Sequence, residues 1–195
     1  INILLVDYHR LIIYDKLLPA GRLREHQKGK NRANIVIITK CPKDLKPMEI
    51  RVLIKAMDLF PYQTLFFTTL EYRALHPIFE GSERKLEEMK DTNILLLTGI
   101  ASPLQMVLDI KPYCKNITPL SFSDHHAFTA KDVETINNTF ASLPFPKAII
   151  TTEKDESRIL DIHELSEEVK SNIYTLPVEI EFMQEEGKMF NENII

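Results

Sequence analysis

The sequence of 195 residues is poor in glycine and cysteine and contains no long apolar run. Its five glycines are not spaced as the G-x-x-x-x-G-K-[ST] loop that cradles nucleotide phosphates requires, so no loop of that type is predicted. The cysteines Cys41 and Cys114 form no Cys-x-x-Cys pair, and we expect both to be free thiols. The longest uncharged run, residues 92–108, contains polar residues, glycine and proline, which argues against a membrane span.

The sequence also lacks a basic excess, with 24 Lys and Arg against 28 Asp and Glu. Nucleic-acid binding is therefore not expected. Hydrophobic residues make up 44% and charged residues 27%, which is typical of a globular domain and excludes collagen, low-complexity disorder and a disulfide scaffold. No signal peptide is predicted. Because the chain opens with Ile1 inside an apolar run, we expect further residues to precede it in the protein.

Short apolar runs alternate with amphipathic stretches, which predicts an α/β fold. Several runs are apolar almost throughout, which favours a parallel or mixed sheet flanked by helices on both faces. Strands are predicted at residues 2–6, 34–39, 64–68, 93–98, 116–120, 147–151 and 172–176. Helices are predicted at residues 47–59, 103–110 capped by Ser102, 130–143 capped by Thr129, and 163–170. The polar stretch 81–90 predicts a boundary between domains 1–80 and 81–195, although a solvated helix or hairpin tip would leave the same pattern.

Two basic segments in the first half are candidate phosphate-binding sites. Pro19-Ala20-Gly21 predicts a tight turn after a strand, in which Gly21 can take a positive φ at little cost, and it delivers Arg22, Arg24 and Glu25 together. The planar guanidinium of arginine suits phosphate oxygens, although a solvated helix start with Arg–Glu pairs would leave the same pattern. Lys40 follows an apolar strand, and ligands bind at the carboxyl ends of strands in open α/β sheets.

Three polar segments in the second half also follow predicted strands. The segment Phe122-Ser123-Asp124-His125-His126 places a carboxylate beside two imidazoles, and imidazole suits proton transfer near neutral pH. Successive residues of an extended chain point opposite ways, so we expect one histidine to face the site. The turn at Gly99 offers backbone N–H groups to an anion, or is a plain strand-to-helix connection. Residues 151–155 form the third polar cluster.

Six motifs in one order together resemble the tetraacyldisaccharide 4'-kinase (lipid A 4'-kinase) family, in its C-terminal part. The resemblance runs from about residue 3 to the end of the chain. The motifs are Leu-Leu-Pro-Ala-Gly-Arg-Leu-Arg-Glu at 17–25, Thr-Lys-Cys-Pro at 39–42, Phe-Phe-Thr at 66–68, Leu-Thr-Gly-Ile-Ala-Ser-Pro at 97–103, Phe-Ser-Asp-His-His-Ala-Phe at 122–128 and Thr-Thr-Glu-Lys-Asp at 151–155.

The resemblance implies a P-loop kinase of lipid A and lipopolysaccharide biosynthesis that transfers the ATP γ-phosphate to the 4'-hydroxyl of tetraacyldisaccharide 1-phosphate. It implies a peripheral location on the cytoplasmic face of the Gram-negative inner membrane. Residues 1–80 would then be the remnant of a nucleotide-binding core, and residues 81–195 a smaller α/β domain. The phosphate loop, the Mg²⁺-binding segment and a membrane-docking region would all precede Ile1, so we expect this chain alone to be inactive.

Carried over residue by residue, the resemblance makes His125 the base of an Asp-His dyad. The Asp of that dyad would lie near the phosphate loop, before Ile1, and Asp124 is the sequence neighbour of His125. It places Arg24 and Glu25 near the nucleotide phosphates of ATP, and Lys40 joins them by its position at a strand end. Two alternatives stay open: a metal-dependent phosphoesterase of the Asp-His-His type, and a non-catalytic α/β module that binds a sugar phosphate. Whether His125 or His126 faces the site also stays open.

Overall fold

The computed structural model describes residues 1–100, 103–123 and 126–194, which form two compact units. The first unit contains Ile1–Glu71 together with Glu179–Ile195, and the second contains Tyr72–Val178. The strands in chain order are β1 (Ile3–Asp7), β2 (Ile35–Thr39), β3 (Thr64–Tyr72), β4 (His76–Pro77), β5 (Asn93–Thr98), β6 (Asn116–Ser121), β7 (Lys147–Thr151), β8 (Ile173–Thr175) and β9 (Val178–Phe182). The α-helices are α1 (Pro47–Met57), α2 (Leu104–Ile110), α3 (Ala130–Ser142), α4 (Glu153–Leu160), α5 (Glu167–Lys170) and α6 (Gly187–Ile194).

The first unit is built on a four-stranded sheet in the order β1-β2-β3-β9, in which β1, β2 and β3 run parallel. Alternate residues of β2 point to opposite faces, and both faces are covered. On one face Val36 and Ile38 pack with α1. On the other face Ile35 and Ile37 pack with Phe66, and the aromatic rings of Phe182 and Phe190 pack against these three. This double burial explains why β2 is apolar throughout.

The second unit is built on a five-stranded mixed sheet in the order β4-β8-β7-β5-β6, in which only the β4–β8 pair is antiparallel. Leu95 and Leu97 of β5 face a core shared with α3, α4 and α5. Ile94 and Leu96 face the opposite core, which contains side chains of α2. The expectation of a parallel or mixed sheet covered by helices on both faces is confirmed.

The structure contains a strand at each of the seven predicted positions, with bounds that shift by at most a few residues. It also contains β4, β9, α4 and α6, which the sequence did not predict. Helix α4 was missed because its residues are mostly charged, and only Asp155 and Ile159 are buried. The helix predicted at 163–170 begins only at Glu167, since Ser166 caps it. The predicted cap Ser102 lies outside the described residues.

The two units divide the chain differently from the predicted boundary at residue 80. The division falls between Glu71 and Tyr72, and the chain returns to the first unit at Glu179. The polar stretch 81–90 folds into the second unit, because Arg84 pairs with Leu75 and a 3₁₀ turn at Leu86–Met89 buries both its terminal side chains. Leu86 and Met89 are the buried residues of this mostly charged stretch, which fits the alternative of a solvated helix or hairpin tip.

None of the helices that the structure describes is both long enough and apolar enough to cross a membrane.

Candidate functional site

The carboxyl ends of β1 and β2 bring Asp7 and Lys40 together. Lys40 Nζ lies 2.6 Å from Asp7 Oδ2, and Lys40 adopts a left-handed backbone conformation with φ 59°. Partial burial raises the pKa of Asp7, but the hydrogen bond and charge of Lys40 and the N–H of His9 outweigh it, so the pKa is lowered. Lys40 therefore lies at the carboxyl end of β2, as predicted, and its ammonium group forms an ion pair with the Asp7 carboxylate. Sequence reasoning missed Asp7, although its position at a strand end was the same signal that pointed to Lys40.

Asp15 organises the loop that carries the predicted arginines. One carboxylate oxygen accepts hydrogen bonds from the backbone N–H groups of Lys16 at 2.8 Å and Arg22 at 3.2 Å. The other accepts from Arg10 Nε at 2.9 Å and Nη2 at 2.6 Å. The Arg10 side chain and the Arg22 N–H lower the pKa of Asp15. Asp15 was missed because only the folded loop brings the Arg10 side chain and the backbone N–H of Arg22 to its carboxylate.

Gly21 is required by close approach and not by its φ angle. A Cβ atom there would lie 2.2 Å from the carbonyl oxygen of Lys16 and 2.6 Å from Asp15 Oδ1. Its φ lies outside the positive region, so this turn does not use the positive φ that glycine permits. The expected preceding strand is absent as well: among the described residues, Leu17 forms only an isolated bridge with Leu23. The turn is tight because Leu23 donates its N–H back to Lys16 O at 3.0 Å.

Arg24 and Glu25 follow this loop and line a cavity of about 440 Å³. Arg24 is exposed, and within residues 1–100, 103–123 and 126–194 its guanidinium has no hydrogen-bond or ion-pair partner. Glu25 accepts a hydrogen bond from Arg32 Nη2 at 2.7 Å, and both side chains are mostly exposed. Arg24 is therefore available to an anionic ligand, whereas Glu25 already has a cationic partner.

The predicted Asp124 and His125 lie outside the described residues, but the structure shows the ends of their loop. On the N-terminal side, Phe122 donates its N–H to Thr98 O at 2.8 Å, and the hydroxyl groups of Thr98 and Ser121 are 3.3 Å apart. These contacts fix the end of β6 to the end of β5. The loop that carries the predicted base therefore starts at the carboxyl ends of two paired strands, β5 and β6.

On the C-terminal side of the same loop, the His126 ring has contacts through its face and through one ring nitrogen. Its ring stacks on Phe122 with centroids 5.0 Å apart, and its Nε2 lies 2.9 Å from Asp132 Oδ2. Asp132 also forms a capping box with Thr129 at the start of α3. The Thr129 hydroxyl and N–H and the His126 ring lower the pKa of Asp132 to about 2. His126 thus stabilises the loop and the helix that follows it.

Asp155 gives the polar cluster at 151–155 a structural role. Its buried carboxylate accepts hydrogen bonds from the Gly99 N–H at 2.9 Å and the Thr152 hydroxyl at 2.7 Å, and Arg158 Nη1 is 3.3 Å away. A Cβ at Gly99 would lie 2.8 Å from Asp155 Oδ1. The Gly99 N–H is therefore not free for an external anion, which corrects that expectation. Sequence reasoning missed this pair because 56 residues separate its members.

A family model described as Tetraacyldisaccharide-1-P 4'-kinase matches residues 1–194. The chain belongs to this family. A curated tetraacyldisaccharide 4'-kinase from Phocaeicola vulgatus is 56% identical over 197 residues, which cover 100% of this chain and 54% of the relative. The tetraacyldisaccharide 4'-kinase of Bacteroides thetaiotaomicron is 46% identical, over 100% of this chain and 54% of the relative. The chain therefore spans about half the length of the tetraacyldisaccharide 4'-kinases that it matches.

A crystal structure of LpxK from Aquifex aeolicus in complex with ATP shares the fold of this family member. The TM-score is 0.56 at 19% sequence identity, and the match covers 100% of this chain and 51% of the LpxK chain. The α/β fold and the resemblance to the tetraacyldisaccharide 4'-kinase family are thus confirmed. The roles of Arg24, Glu25, Lys40, Asp124 and His125 stay predictions.

Proposed function

We propose that this chain is part of an ATP-dependent kinase that phosphorylates the 4'-hydroxyl of a tetraacyldisaccharide 1-phosphate. The observation that carries the proposal is the match of the tetraacyldisaccharide-1-P 4'-kinase family model over residues 1–194. We further propose that the enzyme works on the cytoplasmic face of the bacterial inner membrane, where its lipid substrate is embedded. The first unit would belong to the nucleotide-binding core, and the second unit would carry the Asp-His-His loop.

Arg24 is suited to bind a phosphate oxygen. Phosphoryl transfer depends on positioning and on stabilising the charge of the transferring group. An exposed guanidinium beside a cavity of about 440 Å³, with no ion-pair partner in the described ranges, fits that role, and the Glu25 carboxylate at the same cavity is paired with Arg32. Asp15 and Gly21 fix the loop that presents Arg24, since the carboxylate binds its backbone and the missing Cβ lets the chain close on itself.

His125 is proposed to accept the proton of the 4'-hydroxyl group as it attacks phosphorus, with Asp124 as a neighbouring carboxylate. General-base help of this kind is worth about 10²–10⁴-fold in rate. Support comes from the contacts of the adjacent histidine: His126 is held by Phe122 and Asp132, so it is the less available imidazole.

ATP supplies the phosphoryl group when bound, and Arg24 suits its phosphate oxygens by charge and geometry. Mg²⁺ normally needs carboxylate ligands beside phosphate oxygens. In the part of the chain that the structure describes, no three His, Cys, Asp or Glu side chains come together. We therefore assign no Mg²⁺ ligand to these residues. We propose that Glu25, by its ion pair with Arg32, and Lys40, by its ion pair with Asp7, position the loops that bind the phosphates.

The kinase proposal is tested with a chimera in which this chain replaces the matching part of the Phocaeicola vulgatus relative. We expect the folded chimera to transfer ³²P from γ-labelled ATP to tetraacyldisaccharide 1-phosphate, and the chain alone to transfer none. A folded chimera that binds the lipid without transfer would favour the binding module. Stoichiometric manganese or zinc together with phosphomonoester hydrolysis would favour the phosphoesterase.

A further inference from the structure

The loop between β1 and β2 that presents the candidate phosphate-binding arginine also exposes a run of apolar side chains. Leu17 and Leu18 are 42% and 61% exposed, and Pro19 and Ala20, which follow them, are exposed as well. Tyr14, a few residues earlier, is 75% exposed. A run of four consecutive apolar residues in solvent is uncommon on a folded domain unless it has a function. The proposed function gives these side chains no role.

The backbone of this loop is closed on itself. Gly21 donates its N–H to Leu17 O at 3.0 Å, and Leu18 donates its N–H to Leu23 O at 3.0 Å. The Asp15 carboxylate binds backbone N–H groups at both ends of the loop. The loop therefore offers a partner its side chains and not a strand edge. Because these hydrogen bonds already order it, the loop loses little conformational freedom when it binds.

Cationic side chains stand on both sides of the apolar tip, which we define as residues 17–20. Lys16 precedes the tip and Arg22 follows it, and both are exposed. Within the described residues neither side chain has an ion-pair partner. Residues 1–71 contain twelve Lys and Arg against seven Asp and Glu, although the whole chain is acidic. The charge around the tip therefore complements an anionic surface.

We propose that the apolar tip and Tyr14 insert into the interfacial region of a lipid bilayer, while Lys16 and Arg22 bind the phosphate groups of anionic lipids. Aliphatic side chains next to tyrosine and cations are the combination that segments at a membrane interface use. The closed backbone favours a lipid surface over a pairing strand, because a bilayer takes up side chains and requires no backbone partner. The inference rests on the proposed location at a membrane and not on phosphoryl transfer.

A single tryptophan measures the insertion directly. The chain contains no tryptophan, so Leu18→Trp places one probe in the apolar tip. With vesicles of phosphatidylglycerol and phosphatidylcholine in equal parts, we expect its emission to shift to shorter wavelength. We also expect lipids brominated on their acyl chains to quench it. Val52→Trp on α1 is the matched control, since Val52 is 57% exposed, and it should show neither effect. Identical spectra of Leu18→Trp with and without vesicles would overturn the inference.

Removal of the aliphatic side chains tests how much the tip contributes to binding. We expect Leu17→Ser combined with Leu18→Ser to weaken vesicle binding of the chain, and of the chimera with the Phocaeicola vulgatus relative, at least about tenfold in co-sedimentation. Met48→Ser combined with Val52→Ser on α1 is the matched control, because these side chains are 70% and 57% exposed. It should change binding less than about twofold. Equal losses for the two pairs would contradict the proposal.

Replacement of one cation tests the headgroup contact. Lys16→Gln should weaken binding to the mixed vesicles about fivefold and leave binding to pure phosphatidylcholine vesicles unchanged. Lys55→Gln, at an exposed position on α1, is the control and should have no such effect. Binding that depends on Lys16 but not on Leu17 and Leu18 would show a site for polyanions in general, and would overturn the insertion.

Two other occupants of the tip give different results. If the tip binds a second copy of the chain, sedimentation velocity shows a dimer that the Leu17→Ser and Leu18→Ser pair dissociates. If another segment of the enzyme covers the tip, that pair leaves vesicle binding of the chimera unchanged. Either result would overturn the inference. A chimera that binds vesicles through the tip and transfers no phosphate would leave the inference standing and contradict the proposed kinase activity.

Discussion

At the scale of single residues, neighbouring histidines differ in what they contact. His126 uses its ring to stack on Phe122 and to bind Asp132. We therefore expect His125→Ala in the active chimera to lower kcat at least about 100-fold, as loss of a general base does. His126→Ala should lower kcat much less and reduce thermal stability instead. Initial rates and unfolding midpoints of both variants check this, and equal small effects on kcat would remove the general-base role.

Arg24 has an unpaired guanidinium in the described part of the chain, so its removal should affect ligand binding more than folding. We expect Arg24→Ala in the chimera to lower kcat/KM at least about tenfold, because a charge-assisted hydrogen bond to phosphate is worth more than about 1.4 kcal/mol. The unfolding midpoint should not move. Arg51→Ala, an exposed position on α1, is the matched control, and identical kinetics for the two variants would make Arg24 an ordinary surface residue.

The Asp132 carboxylate makes the stability of the second unit depend on pH. Its pKa is lowered from 3.8 to about 2 by Thr129 and His126. A group whose pKa is lower in the folded state stabilises it above its unfolded pKa, and this contribution is lost as pH falls from about 4 to about 2. Asp132→Asn should therefore be less stable than the parent at pH 6 and equal to it below about pH 2. Thermal unfolding across this range, with Glu134→Gln as control, checks the expectation.

At the scale of elements, a buried hydrogen bond adds to the apolar core that joins α4 to the sheet of the second unit. Asp155 in the first turn of α4 accepts the N–H of Gly99, which directly follows β5. We expect Gly99→Ala to destabilise the chain by about 1–3 kcal/mol, because the new Cβ displaces the carboxylate and leaves a buried donor unpaired. Gly187→Ala is the control, since its Cβ would meet only ordinary contacts at 3.6 Å. Urea unfolding compares the two, and equal midpoints would contradict this role of Gly99.

At the scale of the whole molecule, the chain leaves the first unit after Glu71 and returns to it at Glu179. The returning segment supplies Phe182 and Phe190, which cover Ile35, Ile37 and Phe66. The stability of the first unit therefore depends on residues more than a hundred positions away. The four-stranded sheet is complete only when β9 pairs with β3, and the residues of the second unit lie between these two strands in the chain.

Phe190→Ala tests that dependence. We expect it to destabilise the first unit by about 1–3 kcal/mol, less than for a fully buried phenylalanine because the side chain is only partly buried. Hydrogen exchange should rise in β2 and β3 and stay unchanged in β5 and β7. Phe145→Ala, at a position 71% exposed in the second unit, is the control. A uniform rise across both units would show that they unfold together.

Local patterns were sufficient to predict much of the fold. The runs of β5 and β7 are apolar on both faces, and the Thr129 capping signal sets the start of α3. The same reasoning failed for α4, because its residues are stabilised by contacts with Gly99 and the sheet and carry no apolar period of their own. At 81–90 it left a linker and a solvated helix or hairpin tip open, and the 3₁₀ turn that buries Leu86 and Met89 fits the second.

The sequence by itself determined the class of fold, the strand positions and the family, because these follow from apolar period, turn residues and the order of six short motifs. Only the tertiary structure decided which polar groups are free. It pairs Lys40 with Asp7, Glu25 with Arg32 and the N–H of Gly99 with Asp155. It leaves the side chains of Arg24, Ile3 and Leu5 exposed. The physical reason is that a hydrogen bond or an apolar contact needs two groups in space, and residues far apart in the chain meet only after the sheets have formed.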